Sequence, residues 1–204
     1  MKLVEPLDKL IEDFLRGEFV LVEYDSICHF PLLPLRLAIE NDGILVEMGD
    51  KLSVKIPALI KFIRNYEGLY KVKIVNISNY KLELEGIYIY NIALAELLSV
   101  TSKLYEFFKD YSSELIVFDG VEYLFLHYDL KNVIKDLAGL KVMFPDTTMI
   151  LFVNYGVVKR RYITLLESLA TTTIRFKGVL GDKIVRQGYV LKSLTKPRAE
   201  TVVL

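Results

Sequence analysis

Apolar and polar positions follow two rhythms along this chain. Leu3, Leu7, Leu10, Ile11, Phe14 and Leu15 recur at helical spacing, with Asp8, Lys9, Glu12 and Asp13 on the opposite face. That spacing predicts an opening helix over residues 1–17, closed by Gly17. Phe19-Val20-Leu21-Val22-Glu23-Tyr24 is instead a nearly continuous apolar run, the pattern of a strand covered on both faces. The same reading predicts strands at 44–48, 71–77, 114–119, 148–154 and 171–176. Helices are expected between them at 31–41, 57–66, 92–108, 130–138 and 158–170, with Asn91 as the cap of the longest. Leu82 to Tyr90 alternates apolar and polar residues, which predicts a β excursion at the sheet edge. Gly178 and Gly181 introduce a closing hairpin, so residues 179–204 form a hairpin and tail.

Strands alternating with helices specify an α/β protein with a largely parallel sheet between two helical layers and an antiparallel edge at its end. No linker, low-complexity tract or repeat divides the 204 residues, so a single domain over 1–204 is expected. Hydrophobic residues make up 52% and mean hydropathy is +0.33. No apolar stretch reaches eighteen residues without a charge, so the surplus points to doubly covered strands and a subunit interface rather than a membrane. The first residues lack the order of a signal peptide, and the single Cys28 excludes a disulfide framework; a cytoplasmic protein is expected. Charge balances to zero, which argues against nucleic acid as a partner. The scarcity of glutamine beside abundant Lys, Glu, Ile and Tyr suggests a thermophilic source.

Candidate chemistry centres on Asp119, delivered at the carboxyl end of the strand that begins at Glu114. Nucleotide-hydrolysing α/β proteins often hold a magnesium-binding aspartate there. Yet the chain contains no G-x-x-x-x-G-K-[ST], and no glycine lies between Gly17 and Gly43. A phosphate cradle needs successive inward N–H groups and hence glycines. Pro31 and Pro34 remove donors from the start of the next helix. No lysine follows until Lys51. The loop Tyr24, Asp25, Ser26, Cys28, His29 and Phe30 is therefore a phosphate-loop position without its means, and Phe30 is expected to staple the helix entry to the core. Glu47 and Asp50 end the second strand and form, with Asp119, a candidate acidic edge able to hold magnesium. The alternative is a strand-edge charge at Glu47 and turn caps at Asp50 and Asp119. Cys28 beside His29 suggests a nucleophile but lacks a base oriented from a distant segment, and a buried structural thiol accounts for it better. One cysteine and two histidines cannot build a zinc cage without carboxylates, and no metal or cofactor is expected. Lys159, Arg160, Arg161 and Lys192 form a candidate basic edge; a solvated helix face and a charged edge strand explain the same residues.

These segments resemble a RecA/KaiC-type ATPase domain without its phosphate loop. The resemblance rests on the first strand and helix, on 44–50, on Leu115 to Asp119 in the Walker B position, on 148–155 and on the helix-to-strand step Leu165 to Ile174. The chain also resembles an archaeal family, domain-of-unknown-function family 257, through Glu23-Tyr24-Asp25-Ser26 and Leu166-Glu167-Ser168-Leu169-Ala170-Thr171. The resemblance implies a RecA-like fold; only Asp119 maps onto the ATPase acids, with Glu47 or Asp50 a looser match. The leading expectation is a protein without a working ATP site, not an enzyme, acting through self-association or a protein or peptide partner. A nucleotide or small-ligand binder or enzyme that needs no phosphate loop is the alternative, as is a nucleic-acid accessory factor resembling a recombinase paralogue.

Overall fold

In the computed structural model, β1 (Phe19–Tyr24) is buried along its whole length and lies between β6 (Thr148–Asn154) and β7 (Thr172–Leu180), parallel to both. The structure describes residues 16–26, 32–51, 67–93, 100–180, 184–193 and 201–203. The other strands are β2 (Ile44–Met48), β3 (Lys73–Ser78), β4 (Tyr88–Ala93), β5 (Leu115–Asp119), β8 (Ile184–Lys192) and β9 (Thr201–Val203). They form one nine-stranded sheet in the order β4-β3-β2-β5-β6-β1-β7-β8-β9. Pairing is parallel from β4 to β7 and antiparallel from β7 to β9.

Runs such as Ile44-Leu45-Val46 and Leu115-Ile116-Val117-Phe118 place branched and aromatic side chains on both faces of the pleat, and both faces are covered. On one side α1 (Leu33–Glu40) buries Leu35, Leu37 and Ala38 against the face that carries Val20, Val22, Leu45 and Val117. On the other lie α2 (Val100–Asp110), α3 (Glu122–His127), α4 (Leu130–Met143) and α5 (Arg160–Leu169). Their Leu104, Phe108, Leu137, Ile163 and Leu166 close over Leu21, Val46, Phe118 and Leu151. The result is the expected α/β/α arrangement, with an antiparallel end.

Three expectations need correction. Asn91 does not cap a helix; it lies in β4, opposite Asn76 of β3. Its amide receives Nδ2–H of Asn76 at 2.9 Å and the N–H of Leu82 at 2.8 Å, and donates to the Leu82 carbonyl at 3.0 Å. The edge strand is therefore 88–93 rather than 82–90, and Leu82 folds back over the sheet through that side-chain clip. Glu47 is no strand-edge charge: β2 is paired on both sides, and Glu47 is 1% exposed. The opening helix over 1–17, the helix at 57–66, and Cys28, His29 and Phe30 lie outside the described residues, apart from Arg16 and Gly17 in a turn before β1.

Candidate functional site

Parallel strands bring their carboxyl ends to one edge, and there the turns after β2 and β5 touch. Gly49 and Gly120 both take positive φ, at 88° and 85°. A Cβ on Gly120 would stand 2.4 Å from the Met48 carbonyl oxygen, and one on Gly49 would enter the Tyr123 ring. The two glycines let the turns interlock. Their contact carries Lys51 over the end of β5 and Glu122 into the first turn of α3.

Lys51 Nζ lies 2.7 Å from Glu122 Oε1 and 3.8 Å from Asp119 Oδ1, and donates to the Tyr24 hydroxyl at 3.4 Å. Tyr24 in turn reaches Glu122 Oε1 at 3.5 Å from the end of β1. The second oxygen of Glu122 accepts the N–H of Asn154 at the end of β6, at 3.3 Å. Glu122, Asp119 and Tyr24 are each at most 6% exposed. Burial opposes the charged form of Lys51, but the Asp119 and Glu122 carboxylates outweigh it and hold its pKa above the ordinary lysine value. Burial, then the Glu122 charge, raises that of the Tyr24 phenol. One cation thus ties the carboxyl ends of β1, β2, β5 and β6 together.

The candidate acids divide. Asp119 belongs to this cluster. Glu47 stands in register with Asp119 on one side and Asn76 on the other, inside the sheet. Asp50 accepts the Ser78 hydroxyl at the end of β3. The start of the candidate phosphate loop is tied down by side chains. Asp25 Oδ2 accepts the Gly178 N–H at 2.9 Å and the Tyr155 hydroxyl at 3.3 Å, and Ser26 Oγ accepts Asn154 Nδ2 at 3.3 Å. Lys51 and Glu122 were missed by the sequence reading. The available signal was a lysine and a glutamate, each three residues past a strand that ends in or beside an acid.

A second cluster lies on the opposite face of β1. Glu23 Oε2 receives both Nε and Nη2 of Arg175, in register on β7, each at 2.5 Å. The same Nη2 reaches Glu167 Oε1 on α5 at 2.9 Å, and Arg160 approaches Glu167 at 3.7 Å. The guanidinium sits 5.4 Å from the Tyr155 ring centroid.

The basic edge is not drawn together. Arg160 and Arg161 open α5, while Lys192 Nζ donates to the Ala170 carbonyl at the other end of that helix. Ten residues span roughly 15 Å, so Lys192 serves as a helix cap and not as part of a groove with them. Among the described residues, no group of His, Cys, Asp and Glu could hold a metal ion, and no helix is long and apolar enough to cross a membrane.

This architecture is shared with solved structures. The flagellar accessory protein FlaH from Methanocaldococcus jannaschii matches with a TM-score of 0.62 at 18% identity, covering 98% of this chain and 90% of that one. A KaiC-like protein from Pyrococcus horikoshii matches with a TM-score of 0.66 at 15% identity, covering 98% of this chain and 96% of that one. The fold is RecA/KaiC-like. No family model and no curated relative matches the chain.

Proposed function

We propose that this RecA/KaiC-like protein works without ATP hydrolysis, as a self-associating or partner-binding component. One observation carries the reading: the Lys51 ammonium sits on Glu122 beside Asp119, where a nucleotide-hydrolysing relative would offer its acid to magnesium. A magnesium ion arriving there would meet a fixed positive charge, and one within about 4 Å repels strongly where water is scarce. The missing glycines, the proline at the start of α1 and the side-chain anchors on Asp25 and Ser26 point the same way. The apolar surplus favours a partner surface, and a part in an assembly suits a fold shared with a flagellar accessory protein. The Glu23–Ser26 and Leu166–Thr171 segments support a likeness to the archaeal family 257.

Isothermal titration with ATP and magnesium tests the reading. No binding tighter than about 10 μM, or about −7 kcal/mol, is expected. A tighter constant, abolished by Asp119→Asn, would replace it with the alternative of a nucleotide binder that needs no phosphate loop. Light scattering of the full chain is expected to show a species larger than the 23.5 kDa monomer, or a shift to one when the partner is present.

A further inference from the structure

Glu23 is 0% exposed, in the middle of a sheet, and the Arg175 guanidinium converges on one of its oxygens. The other oxygen, Oε1, is buried with no hydrogen-bond partner. Arg175 is also shared with Glu167, so a single well-placed cation serves two carboxylates. Arg160 adds little, because it stands 3.7 Å from Glu167 with its side chain 68% exposed. The other groups around the junction are Tyr155, whose ring lies against Arg175, Tyr189, opposite Arg175 on β8, and Asp25, which is already bound to Gly178 and Tyr155. Val153, in register with Glu23 on β6, is apolar and offers it nothing.

We propose that Glu23 is a proton-binding switch: its unpartnered Oε1 takes up a proton and hands Arg175 over to Glu167, changing the charge state of the β1–β7–α5 junction. Desolvation drives this, since a buried neutral carboxyl costs far less than a half-paired carboxylate. Burial pushes the Glu23 carboxyl up to about 7 against the pull of Arg175, and the Glu167 charge adds to the rise. The folded chain therefore binds a proton that the unfolded chain has already lost. Stability from this site is fully present below about pH 4.5 and declines as pH rises toward 7. The junction is independent of whether any nucleotide binds, since it involves no residue of the Lys51 cluster.

The test uses the full chain. Carbon-13 spectra of glutamate-labelled protein are expected to show one side-chain carboxyl titrating above pH 6, absent in Glu23→Gln. Glu167→Gln should move that midpoint downward, because it removes a neighbouring negative charge; a purely structural role for Glu167 would leave it in place. In urea melts from pH 5 to 8, the folding constant of the parent should fall about tenfold or more relative to Glu23→Gln. Parallel pH curves, or a Glu23 resonance titrating in the ordinary carboxylate range, would overturn the proposal. If Glu23→Gln does not fold, the parent spectra and the Glu167→Gln shift decide alone.

Discussion

Two clusters near the carboxyl edge set one cation against two carboxylates, and they resolve the conflict differently. Lys51 has three donors on a flexible stem and turns them on three groups, Glu122, Asp119 and the Tyr24 hydroxyl. Around it Tyr24 and the Asn154 N–H supply further hydrogen bonds, so the buried charges are met. Arg175 is a rigid fork aimed at one oxygen of Glu23, with Glu167 as a second claim on the same nitrogen. Its cluster keeps a buried oxygen without a partner. The comparison teaches that equal charge counts do not make equal sites: the first is a closed ionic lock, the second an open one that a proton can complete.

The largest expected break comes from Lys51→Met. It strands Asp119 and Glu122 without their cation, which typically costs about 3–5 kcal/mol. Urea denaturation at pH 7 reads this, and pairing the change with Glu122→Gln should recover part of the loss. Arg175→Met should cost less, about 2 kcal/mol, because Glu23 can shed its charge by taking a proton. The same variant sharpens the contrast through pH. Glu23 without Arg175 holds its proton still more firmly, so the loss should be greater at pH 8 than at pH 5.5; a loss independent of pH would erase the distinction between the clusters. Within the lock, Glu122→Gln should cost about 2 kcal/mol and Asp119→Asn about 1, since Glu122 is the nearer partner and carries the Asn154 bond as well. The reverse order would mean that Asp119 holds something other than Lys51. Tyr24→Phe, which removes two long hydroxyl contacts, with Lys51 at 3.4 Å and Glu122 at 3.5 Å, should cost about 1 kcal/mol or less in the same melts.

The sheet was legible because doubly buried strands leave uninterrupted Val, Ile, Leu and Phe, and the turns between them carry glycine or proline. Asp119 was legible for its place after such a run. The Lys51–Glu122 bond was not: the residues are 71 positions apart, and nothing local in either segment marks the other. Nor was the Glu23–Arg175 pair: Glu23 is a charge within an apolar strand, and its partner lies 152 positions later. Asn91 misled because asparagine suits a helix start and an amide ladder equally; which it joins depends on Asn76 and Leu82. The short α3 went unseen, since Tyr123-Leu124-Phe125-Leu126 has no helical rhythm of its own and is fixed by packing.

The central seat of β1 has a consequence for how the chain comes to be folded. Its partners begin with Met149, about 130 residues after Phe19, and Thr172. A growing chain therefore emerges with an apolar six-residue strand, Phe19 to Tyr24, that can find no native neighbour until most of the sequence has been made. Such contacts of long range fold slowly, and a waiting strand of this kind is open to pairing with another chain. Glu23 is the sole charge in it. Before it has any Arg175 to meet, its hydrated carboxylate keeps the nascent strand from sticking to its own kind.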